Sequence, residues 1–229
     1  AEGCRAMTIF VDNWAEDFEK SPRLKTINKR NGTHQRIFWA VKRFYDIVLG
    51  ILLLPVMIAS GIVLFVLNPF LNPGPLLYSQ ERMGRHMRPF KIYKFRSMRK
   101  AASTARKAHD GLERDRITPL GRLMRKLRVD ELPQVINVLK GDMSFIGPRP
   151  DLYSHACEYA MSVPRYRERH VVRPGISGLA QVTLGYAEGM DAFRAKARRD
   201  ALYIRRAGFR QEATVLWLTI VSVVRAAGH

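Results

Sequence analysis

The longest apolar run in the chain extends from Ile47 to Leu67 and contains no charged residue. A helix of about 20 apolar residues is long enough to cover the hydrocarbon core of a bilayer. The run lies well inside the chain and lacks the short apolar region and small-residue cleavage site of a signal peptide. The pattern therefore predicts a helix that is embedded in a membrane.

The flanks of this run decide its orientation, because both are rich in cations. The upstream cations are Lys29, Arg30, Arg36, Lys42 and Arg43, and the downstream ones begin with Arg82, Arg85, Arg88 and Lys91. The positive-inside rule then places both ends of the helix, and both chain termini, on the cytoplasmic face. Pro55 removes a backbone hydrogen bond and permits a kink. We predict a re-entrant hairpin that breaks at Pro55; an ordinary kinked transmembrane helix is the alternative.

The rest of the pattern predicts a mostly helical α+β protein. Residues 89–98 alternate apolar and basic side chains, as a short strand does, and residues 120–139 show helical spacing in two segments. The apolar segment 214–224 ends in Arg225 and predicts an interfacial amphipathic helix. Residues 100–116 lack an apolar stripe and are expected to form a solvated helix or connector. The predicted organisation is a mobile basic tail (1–35), a membrane-embedded re-entrant helix (36–71) and a compact cytoplasmic catalytic domain (72–229).

Composition adds a strong bias toward anionic partners. The chain has 39 Lys and Arg against 20 Asp and Glu, a formal charge of +19, which favours nucleic acid, anionic lipid or phosphorylated small molecules. No helix-turn-helix, aromatic sheet platform or zinc module is recognisable, so nucleic acid is not expected. Cys4 and Cys157 lie far apart without metal-ligand spacing, which fits a reducing compartment.

Two adjacent carboxylates, Asp130 and Glu131, stand in a segment that is otherwise cationic, with Arg125 before them and Arg149 after them. This combination is suited to a phosphorylated substrate and a divalent cation. Asp130 also has a simpler interpretation as the N-cap of the second predicted helix, with Pro133 in its first turn. The two interpretations are compatible, because a carboxylate at a helix start is held rigidly.

Several motifs in order resemble those of the bacterial sugar transferase family, the monotopic polyprenyl-phosphate phosphoglycosyl transferases. They are Lys42-Arg43-x-x-Asp46, Tyr93-Lys94-Phe95-Arg96-Ser97-Met98, Asp130-Glu131-Leu132-Pro133-Gln134, Gly141-Asp142-Met143-Ser144, Gly147-Pro148-Arg149-Pro150 and Arg173-Pro174-Gly175-x-x-Gly178-x-x-Gln181-Val182. The resemblance extends from Lys42 to the C-terminus. The segment before Lys42 is shorter than the multi-span region of larger members, so the expectation is the minimal catalytic form.

The resemblance implies a reaction and its participants. Asp130 would attack the β-phosphorus of a UDP-sugar and hold the sugar phosphate until undecaprenyl phosphate accepts it, which splits one transfer into two steps. Glu131 would help to bind Mg²⁺. The implied setting is the cytoplasmic face of the bacterial inner membrane, among membrane lipids, at the first membrane step of polysaccharide or glycoconjugate synthesis. Downstream glycosyltransferases are expected partners, and a homodimer is left open.

The resemblance also assigns binding roles. Arg149, with Arg125 and Lys94, would contact phosphate, and Gly175, Gly178 and Gln181 would lie near the nucleotide base. For each cation the simpler interpretation is a solvated or headgroup-facing charge. Asp200 and Tyr203 match a family Asp-x-x-Tyr pattern, which salt bridging and packing explain equally well.

Two departures from the family pattern stand out. Leu54 precedes Pro55 where family members commonly have Ser, which puts the hairpin geometry in question. Thr183-Leu184-Gly185-Tyr186 replaces a segment that usually supplies an arginine, which bears on sugar or nucleotide preference. The alternative function is a non-catalytic, membrane-tethered basic module for anionic lipid or nucleic acid, which would need its cations but neither carboxylate.

Overall fold

The computed structural model describes residues 33–99, 114–184 and 190–227. The predicted basic tail and the predicted connector therefore lie largely outside the described residues. Within them the protein is mostly helical with two small sheets, as the sequence predicts.

Helix α1 (Thr33–Leu71) is continuous over 39 residues and includes Pro55 and Pro69. At 1.5 Å per residue it is about 58 Å long. By length and composition it is the one helix among the described residues that could cross a membrane, and most of its apolar segment is exposed. The predicted break at Pro55 is not seen as a division into two helices.

One stripe of α1 contacts the rest of the protein along its length. Its buried members are Phe38, Lys42, Asp46, Gly50, Leu64 and Asn68. The side-chain amide of Asn68 donates to the carbonyl of Gly74 at 2.6 Å, which fixes the end of the helix. The opposite faces carry exposed apolar side chains, as expected of a helix that contacts lipid.

The first sheet is an antiparallel hairpin of β1 (Leu77–Met83) and β2 (Pro89–Phe95). The predicted strand at residues 89–98 is therefore confirmed, although it ends three residues early. The second sheet pairs β3 (Ser144–Ile146) with β4 (Gly175–Ser177) in parallel.

Two short helices and a turn lie between the sheets. Helix α2 (Pro119–Lys126) begins at Thr118, whose side-chain oxygen accepts from the N–H of Gly121 at 3.0 Å. A 3₁₀ turn (Val129–Glu131) follows, and α3 (Gln134–Lys140) ends at Gly141, where φ is +93°. The two predicted helices on either side of the acidic pair are confirmed.

The predicted capping role of Asp130 is wrong. Pro133 is the N-cap residue of α3, and no side chain caps this end. Asp130 lies in the preceding turn because a separate 3₁₀ segment, rather than the helix itself, begins at Val129.

The C-terminal part contains four helices, α4 (Tyr153–Ser162), α5 (Leu179–Leu184), α6 (Met190–Arg205) and α7 (Phe209–Ala227), of which α7 contacts both strands of the second sheet. A 3₁₀ segment (Tyr166–Val171) joins α4 to β4. Helix α7 is longer than the predicted apolar segment. One core cluster joins the β1–β2 hairpin to α4, and a second joins β3 to α6 and α7.

Candidate active site

Asp130 and Glu131 occupy the 3₁₀ turn between α2 and α3, and both are nearly buried, at 6% and 7% exposure. The N–H of Glu131 donates to the carbonyl of Arg128 at 3.1 Å, which closes the turn. Arg128 adopts a left-handed conformation with φ of +58°. Two adjacent carboxylates are thereby held by the backbone rather than by a mobile loop.

Glu131 is bound by two cations that the family resemblance predicts to contact phosphate. Lys94 Nζ lies 2.9 Å from Oε1, and Arg149 donates to both carboxylate oxygens, with Nη1 3.3 Å from Oε2. Burial alone would raise the pKa of Glu131, but Arg149 and Lys94 lower it well below its usual range. Glu131 is therefore ionised at neutral pH.

Asp130 differs from its neighbour. Its carboxylate takes part in no hydrogen bond or ion pair with the residues that the structure describes. Burial, and next the charge of Glu131, raise the pKa of Asp130, while Lys94, Arg125 and Arg128 oppose that shift. The arrangement provides one carboxylate that is fixed by cations and another whose oxygens are not engaged.

Arg149 is positioned by contacts between two backbone segments. Its Nη1 donates to the carbonyl of Ile176 at 2.7 Å. A Cβ added to Gly175 would lie 2.1 Å from the nitrogen of Gly147, and one added to Gly178 would lie 2.4 Å from the carbonyl oxygen of Gly147. The two glycines predicted to lie near the nucleotide base thus allow the loop after β3 (residues 147–150), called here the Arg149 loop, to pack against β4.

Arg125 and Gln181 are the remaining predicted site residues. Arg125 donates from Nε to the hydroxyl of Ser97 at 3.2 Å, just beyond β2, and its charge acts on Asp130. Gln181 lies in α5, and its buried Oε1 has no hydrogen-bond partner in the described part of the chain. The cations are brought together with the acidic pair, whereas the role of Gln181 stays a prediction.

A buried ionic cluster behind the Arg149 loop was not predicted. Arg169 pairs with Asp151 and, at 2.9 Å, with Asp200, and it donates to the carbonyl of Arg149 at 2.6 Å. Lys196 also contacts Asp151. Asp200 thus has the salt-bridging role considered for it. Arg169 follows no motif, so only its three-dimensional partners mark it.

The predicted Mg²⁺ site depends on which side chains near Asp130 and Glu131 could bind a metal ion. No group of three or more His, Cys, Asp or Glu side chains able to hold a metal occurs among the described residues. Mg²⁺ in phosphoryl-transfer sites is commonly held by one or two carboxylates together with substrate phosphates. Asp130 and Glu131 fit that mode but would not form a metal cage by themselves.

Comparison with known proteins completes the description of the site. The family model for bacterial sugar transferases matches residues 37–226. The chain is 40% identical over 194 residues to the UDP-N-acetylgalactosamine-undecaprenyl-phosphate N-acetylgalactosaminephosphotransferase of Aeromonas hydrophila, covering 84% of this chain and 45% of that protein. It is 35% identical over 187 residues to the UDP-glucose:undecaprenyl-phosphate glucose-1-phosphate transferase of Caulobacter vibrioides, covering 80% and 69%.

A third relative is the exopolysaccharide production protein PSS of Rhizobium leguminosarum bv. phaseoli. It is 34% identical over 188 residues, which cover 80% of this chain and 94% of that protein. The chain therefore spans less than half of the Aeromonas relative but nearly all of the Rhizobium one. The matched region contains both sheets, the acidic pair and the cations around it.

Proposed function

The chain belongs to the bacterial sugar transferase family, and on that premise we propose that it transfers a sugar 1-phosphate from a UDP-sugar to undecaprenyl phosphate. The products are UMP and an undecaprenyl-diphosphate sugar. The observation that carries this proposal is the buried Asp130 carboxylate, which has no partner among the described residues and lies beside Lys94, Arg125 and the Glu131–Arg149 pair.

The reaction has two displacements at one phosphorus. In the first, an oxygen of Asp130 bonds to the β-phosphorus, the bond from that phosphorus to the UMP oxygen breaks, and UMP leaves with the electron pair. In the second, an oxygen of undecaprenyl phosphate attacks the acyl phosphate and Asp130 is released as a carboxylate. A covalent intermediate of this kind divides a difficult transfer into two easier steps.

The cations around Glu131 are suited to stabilising the negative charge of the phosphoryl group during its transfer. Arg149 offers a planar fork that matches phosphate oxygens, and Lys94 offers a compact charge. In the structure both are held by Glu131, so the binding site is preorganised before a phosphate exchanges with the carboxylate. Glu131 and substrate phosphates would hold Mg²⁺, which when bound supplies neutralisation of the pyrophosphate charge.

The contacts of α1 support a monotopic arrangement at the cytoplasmic face of the inner membrane. Asp46 accepts from the hydroxyl of Ser144 at 3.1 Å, while Leu64 packs with Phe95 and Met124. These points are about 27 Å apart along the helix, and a crossing helix would place them on opposite sides of the bilayer. Since both contact one domain, we place both ends of α1 on the same side, with Pro55 at the deepest bend.

Helix α7 provides a second membrane contact in this arrangement. Its exposed apolar side chains are Phe209, Leu216, Trp217, Ile220 and Val224, and they share one face at helical spacing. The rings of Phe38 in α1 and Phe209 pack edge to face with centroids 5.2 Å apart. The apolar faces of the two helices therefore begin side by side.

We expect cysteines on either side of the apolar run to be shielded from the periplasm. Arg36→Cys and Pro73→Cys, each made in a Cys4→Ser chain, are to be treated in intact spheroplasts with a membrane-impermeant maleimide. Labelling of both only after permeabilisation is the expected result, because both ends face the cytoplasm. Labelling of either one in intact spheroplasts would indicate a crossing helix instead.

The proposed reaction is tested by UMP release from a panel of UDP-sugars. The detergent-solubilised full chain is incubated with undecaprenyl phosphate and Mg²⁺, with undecaprenol as the matched control that lacks the acceptor phosphate. We expect multiple turnovers with at least one sugar, dependence on undecaprenyl phosphate and loss of release after EDTA treatment. Absence of turnover with every sugar, while the chain still binds anionic vesicles, would favour the non-catalytic basic module.

A further inference from the structure

A second cationic site lies where α1 meets the domain. A cavity of about 80 Å³ is lined by Trp39, Lys42, Arg43 and Asp46 from α1 and by Arg85, Val171, Val172 and Arg173 from the domain. Ser144, at the start of β3, forms part of its wall. The proposed reaction uses none of these side chains.

Positive charge exceeds negative charge in this cavity. Asp46 is the one carboxylate among its described lining residues, and it already accepts from Ser144 and from the N–H of Phe145 at 3.1 Å. Burial, followed by the nearby Arg85 and Arg43, lowers the pKa of Arg173, which reflects guanidinium groups held close together. An anion between them would relieve this repulsion.

Two guanidinium groups have hydrogen-bond donors available. Arg173 donates from Nε to the carbonyl of Gly141 at 2.8 Å, and Arg85 donates from Nε to the carbonyl of Val171 at 3.1 Å. Within the described part of the chain, the Nη atoms of both residues make no hydrogen bond. Each arginine is thus oriented by one bond and keeps its terminal donors for a ligand.

The cavity is separate from the acidic pair. Helix α3 begins three residues after Glu131 and ends before Gly141, whose carbonyl accepts a hydrogen bond from Arg173. Seven helical residues correspond to about 10 Å. A phosphate at the cavity would therefore lie too far from Asp130 to be the reacting group.

The position along α1 identifies the chemistry of the ligand. Trp39 and Arg43 lie in the last two turns before the uncharged run that starts at Ile47. Exposed Phe44, Tyr45 and Val48 follow on the lipid-facing surface. Trp and cationic side chains at this boundary lie at headgroup level.

We propose that this cavity binds the phosphate group of a membrane lipid, with Arg85 and Arg173 as its principal ligands and Arg43 as a supporting charge. The inference depends on α1 contacting the membrane and is independent of the transfer reaction. A lipid phosphate held here would fix the depth and tilt of the domain on the bilayer. It would thereby hold the acidic pair at a constant distance from the headgroup plane.

The test compares lipids that differ only in phosphate. The purified, delipidated full chain is titrated in neutral detergent with dioleoyl phosphatidic acid or dioleoylglycerol, and native mass spectrometry gives the affinity of the first bound lipid. Undecaprenyl phosphate and undecaprenol form a second pair. We expect the phosphorylated member of at least one pair to bind about tenfold more tightly or better, because guanidinium–phosphate bonds are charge-assisted.

Arg85→Gln is the decisive variant, because Arg85 is exposed and its replacement leaves the core intact. We expect it to weaken binding of that phosphorylated lipid about tenfold, with partial recovery in Arg85→Lys. Arg199→Gln removes an exposed charge from α6, away from the cavity, and is expected to leave the affinity within about twofold. Thermal unfolding in the same detergent confirms that each variant is folded.

The outcomes distinguish binding of a lipid phosphate from binding of a free anion. Loss with Arg85→Gln in the phosphatidic acid pair indicates a bulk anionic lipid, and loss in the undecaprenyl phosphate pair alone indicates a dedicated polyprenyl phosphate site. Equal affinities of the Arg85→Gln and Arg199→Gln variants would overturn the proposal. So would displacement of the lipid by inorganic phosphate at equal concentration.

Discussion

Asp130→Asn is expected to lower UMP release by about a thousandfold or more, because it removes the attacking oxygen while preserving the shape of the side chain. Intact-protein mass spectrometry provides a direct readout. Incubated with the reactive UDP-sugar but without undecaprenyl phosphate, the unaltered chain should gain the mass of one sugar phosphate. The variant should gain none.

The matched control is Asp191→Asn, which removes a carboxylate that is 95% exposed. Its release rate and its mass adduct should equal those of the unaltered chain. Undiminished release by Asp130→Asn would exclude Asp130 as the nucleophile. An adduct that persists in that variant would direct attention to another carboxylate, with Glu131 the first to replace.

Asp130→Asn is also expected to change how the thermal stability of the chain depends on pH. Because burial and the charge of Glu131 raise the pKa of Asp130 in the folded protein, ionisation of Asp130 destabilises the fold. That cost is absent below the ordinary Asp pKa of about 3.9 and grows as pH rises through the raised value. Asp130→Asn should therefore unfold at a higher temperature than the unaltered chain at neutral pH, and the difference should vanish in acid.

The sequence motifs predict which residues form the site, but they do not predict which of its charged groups are paired. Asp130, Glu131, Lys94 and Arg149 lie in conspicuous sequence patterns, and the fold brings all four together. Sequence alone could not show which carboxylate is already bound, since Lys94 lies 37 residues and Arg149 lies 18 residues from Glu131. Their ion pairs depend on how β2 and the loop after β3 pack around the turn.

Sequence patterns predict a helix or strand correctly where one continuous segment determines its structure. The apolar run predicted α1, and alternation predicted β2. Only the helix-cap interpretation of Asp130 is wrong, because three residues of 3₁₀ turn precede α3, a difference that side-chain preferences scarcely indicate. The cavity lined by Arg43, Arg85 and Arg173 joins segments remote in sequence, so no spacing rule predicts it.

Arg169→Gln is expected to reduce the free energy of unfolding by about 3–5 kcal/mol, as is typical when one partner of a buried ion pair is removed. The Arg169 side chain is 2% exposed and pairs with Asp151 and Asp200. The substitution leaves both carboxylates buried, with Lys196 as the remaining cation bound to Asp151. Denaturant unfolding of the full chain in detergent measures the loss.

Arg165→Gln is the matched control for this loss. Arg165 pairs with Glu168 at 2.7 Å, but its side chain is 46% exposed, so its removal should cost less than about 1 kcal/mol. Equal losses for the two variants would show that burial of the Arg169 cluster contributes nothing. Arg169→Lys should fall between them, since it keeps the charge but not the planar fork.

The position of Arg169 also predicts a kinetic effect. Because its guanidinium donates to the carbonyl of Arg149, the cluster holds the loop that presents Arg149 to Glu131 and to a phosphate. At a temperature where Arg169→Lys is still folded, we expect a severalfold rise in KM for the UDP-sugar and a smaller change in kcat. An unchanged KM would confine Arg169 to stabilising the fold; a raised KM would show that the buried cluster sets the position of the phosphate-binding arginine.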